Sequence, residues 1–305
     1  MTRHLDLKLH YACNNNCIHC VIADQRVAVL GQGRRDFRTT AEVARELADA
    51  AGRGFRVVTF TGGEPTLRRD LAVLVRAAQR LGLTVGLQTN GRLLAVPGVR
   101  NGLLGLGVRF VVALHGPDAE THDAVTRAPG SFAETMAALR ALACAGERVT
   151  GKVVISKRNA ATLPAIAAAL VGAGVARANL TFPHALGNAL AGFADVVPRY
   201  RDVEAPVAGA IEAMEAAGGT AVTEAVPACL LGAYARCASE TAYRESVQSE
   251  VRQLDQGPRD WSRDRQVEGK AKGPRCATCG ANRDCEGVWR EYIEAFGAEE
   301  FEPFP

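Results

Sequence analysis

No apolar run in this 305-residue chain is long enough to span a membrane. Nothing at the start resembles a secretory signal, because Met1-Thr2-Arg3-His4 leads straight into a short apolar strand pattern. An excess of one charge is missing too. Lys and Arg number 36 against 33 Asp and Glu, a net charge of +3, which gives no electrostatic case for binding nucleic acid or a membrane surface. No internal repeat is visible. These absences predict a cytoplasmic protein with neither nucleic acid nor membrane as partner. Against that background the chain has nine cysteines. Without a secretory signal they belong to a reducing compartment, where thiols serve metals or catalysis and not disulfides.

Three of the nine fall in eight residues, Cys13-Asn14-Asn15-Asn16-Cys17-Ile18-His19-Cys20. Three thiolates on one tight loop can hold three irons of a cubane and leave the fourth open to a small molecule. A structural zinc site normally closes with four ligands, whereas thiolate sets of this kind suit iron–sulfur clusters. A second signal follows at Val57-Val58-Thr59-Phe60-Thr61-Gly62-Gly63-Glu64-Pro65. An apolar strand runs into paired glycines, which let backbone approach a ligand closely. The carboxylate of Glu64 can accept hydrogen bonds from an ammonium group.

Together the Cys-x3-Cys-x2-Cys loop and the Gly-Gly-Glu-Pro turn resemble the radical S-adenosylmethionine (radical SAM) superfamily over roughly residues 5–185. The resemblance implies a 4Fe–4S cluster on Cys13, Cys17 and Cys20. It implies S-adenosylmethionine beside the cluster, one-electron cleavage to a 5′-deoxyadenosyl radical, and abstraction of a substrate hydrogen atom. Gly62, Gly63 and Glu64 would meet the amino end of S-adenosylmethionine. His19 stands where the family usually has an aromatic residue. Asn90, in Thr89-Asn90-Gly91, would face the pocket, or would simply build a turn. The family often has Ser two residues before the slot of His115 and Asp in that slot; here those positions are Ala113 and His115. Lys152 then becomes a candidate partner for the S-adenosylmethionine carboxylate, with a solvated strand-edge lysine as the alternative. His115 is a candidate proton carrier near neutral pH or a structural histidine.

The expected fold is α/β: a partial (β/α)6 barrel with a small C-terminal auxiliary-cluster domain. Strands are predicted at Leu5–Leu9, Val57–Phe60, Thr84–Gln88, Arg109–Leu114, Val149–Ile155 and Ala178–Phe182. Helices are predicted at Thr40–Ala51, Asp70–Leu81, a short one near Leu93–Leu106, Ser131–Ala145 and Thr162–Gly172. Ser131-Phe132-Ala133-Glu134 reads as a capping box, and Gly146 as the closing residue of that helix. Such repetition argues for parallel strands with helices outside and sites at the carboxyl ends of strands. Residues 1–190 form the predicted barrel and 191–305 the extension. In the extension, Pro198 and Pro206 bracket a linker, Val207–Ala217 is helical, Thr220–Val226 is a strand, and 238–275 is a charged surface helix or mobile insert.

The second cysteine set is Cys276-Ala277-Thr278-Cys279 with Cys285, preceded by Cys229 and Cys237. Its spacing is similar to the SPASM and Twitch extensions, which hold auxiliary 4Fe–4S clusters. It lacks the next cysteine of full SPASM, since position 289 is Trp289. The resemblance therefore implies one auxiliary cluster on Cys229, Cys276, Cys279 and Cys285; the spacing alone also permits zinc. Trp289, Tyr292 and Phe296 read as helix-packing residues. Cys144 reads as a buried small hydrophobe, and Cys237 as a ligand, an inert thiol or a hydrogen-atom donor.

Two enzymatic outcomes fit: modification of a ribosomally made peptide (epimerisation, crosslinking or desaturation), or dehydrogenation of a sugar or amino-acid intermediate. A zinc-binding regulatory protein is the third reading. Expected partners are the substrate and a flavodoxin- or ferredoxin-type electron donor. A separate leader-peptide-binding protein joins them, or the core binds the peptide directly, since no recognition domain is read before Leu5 or after Phe304.

Overall fold

The computed structural model describes residues 1–240 and 247–303. Seven parallel strands lie side by side in chain order: β1 (Thr2–His10), β2 (Val57–Gly62), β3 (Thr84–Thr89), β4 (Arg109–Ala113), β5 (Arg148–Val154), β6 (Arg177–Thr181) and β7 (Thr220–Glu224). Each crossover moves the chain one strand along the same sheet, which is how a parallel sheet wound in one hand curls into a barrel wall. On the other side of β1 lie β8 (Val247–Arg252), parallel to it, and β9 (Arg259–Asp260), antiparallel to β8. The architecture is a partial barrel, as the sequence led us to expect.

Alternation along the strands separates two environments. In β1, Leu5, Leu7 and Leu9 are buried while His4, Asp6 and Lys8 are half-buried. In β5, Val149, Gly151 and Val153 alternate with Thr150, Lys152 and Val154 in the same way. The apolar face meets the helices. Val43, Leu47 and Ala50 of Thr40–Gly52 and Leu74, Val75 and Ala78 of Leu71–Arg80 join the strand leucines in one cluster. The other face keeps polar side chains accessible.

The six predicted strands are present with shifted ends. The helix Ser131–Cys144 forms, and Gly146 closes it at φ 73° with Glu147 N donating to Leu142 O. Its predicted cap does not form. Ser131 is the first helical residue, and the capping carboxylate is Asp123, which accepts from Gly130 N (2.6 Å), Phe132 N (2.8 Å) and Ser131 Oγ (2.8 Å). Asp123→Ala is expected to cost about 1–2 kcal/mol and to lower the thermal midpoint by a few degrees in a calorimetric scan.

Several expectations are corrected. The stretch near Leu93–Leu106 forms only a 3₁₀ turn, Arg92–Ala95, and one helical turn, Pro97–Arg100. Pro206 is not in a linker but inside the helix Tyr200–Ala216. The sheet does not stop at residue 190, because β7 and β8 both belong to it. The predicted insert 238–275 supplies β8 and β9; its residues 241–246 lie outside the described residues, as does Phe304. Cys144 is exposed at the end of its helix, not buried. Trp289 lies in a two-residue strand, Val288–Trp289, paired with Lys270–Ala271. Tyr292 follows in the helix Arg290–Phe296 and packs on Tyr200 and Phe182. Among the described residues no helix is long and apolar enough to cross a membrane.

Candidate functional site

The cysteine loop leaves the end of β1 and is tied down from three directions. Asn16 N and Ile18 N donate to Thr126 O and Val125 O at the end of the helix Ala119–Thr126. Asn188 Nδ2 donates to Cys17 O (2.8 Å) and Asn188 N to Cys20 O (2.9 Å). From the end of β3, Asn90 Nδ2 donates to Asn14 Oδ1 (2.7 Å), and Arg92 Nη1 to Asn14 O (2.5 Å) and Asn15 Oδ1 (3.0 Å). Arg92 is anchored in turn by Glu134. Arg92 and Asn188 carried no sequence signal, since their role depends on elements distant in the chain.

The Gly-Gly-Glu-Pro turn lies directly against this loop. Gly63 N donates to His10 O (2.7 Å) and Glu64 N to Ala12 O (2.8 Å). A β-carbon at Gly62 would fall on His10 O and one at Gly63 on Ala12 O, so both glycines are needed for close approach. Gly62 also has φ 117°. The Glu64 carboxylate is buried and does not point outward as a free acceptor. Its Oε1 accepts from Thr66 N (3.0 Å), Thr66 Oγ1 (2.6 Å) and Thr89 Oγ1 (2.6 Å), and its Oε2 from Asn90 N (2.7 Å). In this arrangement the carboxylate is engaged by the protein's own donors. Glu64 joins the β2 turn to the end of β3 and so positions Asn90 against the cysteine loop.

The three thiols fit an iron–sulfur cluster. Burial pushes Cys13 up to about 11 and Cys17 up to about 12, and the neighbouring thiols add to the shift in both. Burial also raises Cys20. Such a set gains most from a cationic centre that stabilises the thiolates.

His19, His115 and His122 form a row, the first half-buried and the other two buried. The rings of His19 and His115 meet edge-on at 4.6 Å, and those of His115 and His122 stack at 5.9 Å. Burial lowers His19 and His122 to about 4 and holds His115 well below its ordinary value. His115 N donates to His122 Nδ1 (3.0 Å), and His115 O accepts from Asn159 Nδ2 (3.0 Å). Burial and these bonds favour the structural alternative for His115 over a proton carrier near neutral pH.

Lys152 stands on the accessible face of the sheet and pairs with Glu224 at the end of β7 (2.9 Å). Glu224 Oε2 also takes Thr181 Oγ1 (3.1 Å), and the Lys152 charge holds Glu224 down to about 2. A second pair, Lys8–Asp6 (3.1 Å), stands on β1. Lys8 acts electrostatically on Cys20, and Lys152 on His19, so both pairs flank the cysteine loop. Glu224 and Asp6 were not singled out in the sequence.

The second cysteine set also comes together. Cys229, Cys276, Cys279 and Cys285 line one cleft of about 500 Å³, counting its open mouth, with Pro227 and Gly287. Burial pushes Cys229 up to about 12, with the other three thiols adding to it. Among the described residues, no three His, Cys, Asp or Glu side chains converge on a point that one metal ion could occupy. A single zinc needs all its sulfurs about 2.3 Å away, whereas a cubane takes one thiolate per iron. Cys237 belongs to neither set. It packs in the main apolar cluster beside Arg236 and Glu215, which favours the inert-thiol alternative.

A family model described as the Radical SAM superfamily matches residues 7–179. The AdoMet-dependent heme synthase of Methanosarcina barkeri (strain Fusaro / DSM 804) is 35% identical over 153 residues, 50% of this chain and 42% of that protein. The chain thus spans well under two thirds of the length of the curated relatives it matches. Streptococcus suis SuiB bound to precursor peptide SuiA matches 99% of this chain and 75% of its own, with TM-score 0.67 and 14% identity. Native anSMEcpe with bound AdoMet and Cp18Cys peptide matches 99% and 93%, with TM-score 0.66 and 14% identity. At these identities the likeness is one of fold. With a cysteine loop pinned to a Gly-Gly-Glu-Pro turn at the strand ends and more than half of its length matched by the family, this chain belongs to the Radical SAM superfamily, whose enzymes use S-adenosylmethionine and a 4Fe–4S cluster.

Proposed function

We propose that this enzyme modifies a polypeptide by abstracting a hydrogen atom, with epimerisation, crosslinking or desaturation as the outcome. The observation that carries the reading is the polar inner face of the sheet. Its two lysine–carboxylate pairs, Lys8–Asp6 and Lys152–Glu224, flank the cysteine loop. Paired donors and acceptors of this kind match the amides and polar side chains of a peptide. The whole-chain likeness in fold to two peptide-bound radical SAM structures supports it.

Cys13, Cys17 and Cys20 would hold the cluster. Gly62 and Gly63 would bring backbone against S-adenosylmethionine, with Asn90 and His19 beside it. Lys152 spends one of its three N–H donors on Glu224 and keeps two for a carboxylate. Together the cluster and S-adenosylmethionine supply one-electron reductive cleavage that leads to hydrogen-atom abstraction. The protein's share is to hold one substrate C–H close and to keep water out. Cys229, Cys276, Cys279 and Cys285 would hold one auxiliary 4Fe–4S cluster. A flavodoxin- or ferredoxin-type protein would supply electrons, and a separate protein would present the peptide leader.

A metabolite substrate is the second reading, favoured by the 35% identity to a heme synthase. The test is anaerobic reconstitution with dithionite and S-adenosylmethionine, offering a short-peptide pool and a metabolite pool separately. The expected result, in D2O, is 5′-deoxyadenosine formed one-to-one with a peptide that has lost two hydrogens (crosslinking, desaturation) or gained one deuterium at an inverted carbon (epimerisation). Turnover confined to the metabolite pool sinks the peptide reading.

A further inference from the structure

The helix Ala23–Gly31 begins three residues after Cys20, and its inner side rests on the cysteine loop. Ile22 and Val29 join Tyr11 in a small apolar cluster, against which Cys20 and Leu254 pack. The outer side is bare. Val27 is 71% exposed, Leu30 50%, Phe37 46% and Val21 39%. Val27 and Leu30 share a helix face at i, i+3. Arg34 N donates to Val29 O, which folds the following loop back onto the helix end. Single exposed hydrophobics are ordinary; here two lie together on one helix face, with Val21 just before the helix and Phe37 in the loop after it exposed as well, and paired apolar exposure of this kind marks an interaction site.

The rim of that patch is basic. Within residues 21–37, Arg26, Arg34 and Arg35 are exposed against one exposed acid, Asp24, and Asp36 is half-buried. Arg35 lies over the Phe37 ring at 5.3 Å and shares a partly exposed pair with Glu42. An apolar centre with a charged rim is the anatomy of a protein–protein contact, and a basic rim selects an acidic partner. The helix is about 10 Å wide, so a partner seated on its outer face comes within that width of the cysteine loop. Electrons tunnel between proteins only over such short separations.

We propose that this face docks an acidic electron-transfer protein that reduces the cluster at Cys13, Cys17 and Cys20. The inference rests on the placement of that cluster. The donor is oxidised by one electron and the cluster is reduced by one; no bond or proton moves. Complementary charge of this sort acts mainly on the rate of encounter and weakens with salt.

The test compares wild type, R34E/R35E and V27D/L30D, all reconstituted. Each is reduced either by a reduced acidic flavodoxin or by dithionite, which is too small to need a docking face. The readout is bleaching of the cluster's visible absorbance, which requires no turnover, so a wrong substrate reading leaves it unaffected. Both variants are expected to slow flavodoxin-driven bleaching by about ten-fold or more while dithionite-driven bleaching stays at the wild-type rate. Salt should slow the wild type and hardly affect R34E/R35E. Three results would overturn the proposal. One is a flavodoxin rate unchanged by both variants, and another is a parallel loss with dithionite. The third is a change in self-association, seen by size-exclusion chromatography, with the flavodoxin rate intact; that would assign the face to a second copy of the chain.

Discussion

Gly63→Ala is expected to lower 5′-deoxyadenosine formation by about 100-fold, the scale of loss that follows a 1 Å misplacement of reacting groups. The added methyl would fall on the carbonyl oxygen of Ala12, the residue before Cys13. Both sides of that contact are backbone, so no side chain can swing away. Gly63 N and Glu64 N are already bonded to His10 O and Ala12 O. Either the turn withdraws or the cysteine loop shifts, and each outcome separates S-adenosylmethionine from the open iron. Iron content and cofactor affinity should fall together in the reconstituted variant. Gly52→Ala is the control, since nothing lies within 4 Å of its added carbon. A Gly63→Ala enzyme that turns over at the wild-type rate would show that the turn does not hold the cofactor loop in register.

The second large effect separates the two cysteine sets. Cys17→Ala is expected to abolish 5′-deoxyadenosine formation with or without substrate, because it would remove one of the three proposed ligands, Cys13, Cys17 and Cys20. Cys279→Ala is expected to remove about half of the iron, as loss of one of two clusters requires, and to end substrate conversion. Slow uncoupled cleavage of S-adenosylmethionine should survive, since Cys229, Cys276, Cys279 and Cys285 surround their own cleft. Iron analysis and cleavage assays without substrate read both outcomes. If Cys279→Ala kept full iron and full turnover, the auxiliary cluster would have to be abandoned.

The parts of the fold that were legible in the sequence are those where local chemistry and tertiary environment agree. Strands β1 to β6 alternate or run apolar because one face of each meets the helices, so Leu5, Leu7 and Leu9 announce their own burial. β8 gave no such signal. Its sequence Val-Gln-Ser-Glu-Val-Arg is half-exposed along nearly its whole length, with only Arg252 buried, and it resembles a charged surface segment. Its place is set by pairing with β1 and by Arg252, which engages Glu46, Asp49 and Glu250. Pro206 misled for the opposite reason. A local helix-breaking residue is overridden by burial of Val203, Val207, Ala210 and Ile211 along one side of the helix Tyr200–Ala216.

The site was legible where ligand chemistry fixes spacing, as in the two cysteine sets. It was illegible where a common polar residue acts through geometry alone. Arg92, Asn188, Asp123 and Glu224 carry no motif, and each gains its role from an element far away in the chain. The inward setting of the Glu64 side chain was not legible, because its type suggests an outward contact, whereas four donors from the turn after β2 and the end of β3 hold it inward.

The pairing of Leu5 with Glu250 has a consequence for synthesis. During synthesis β1 keeps one rim of backbone amides and carbonyls unsatisfied until β8 has been made. During translation that rim is a template for any stray extended segment. A chain cut before β8 would therefore be expected to form inclusion bodies even with its cysteine loop and Gly-Gly-Glu-Pro turn intact.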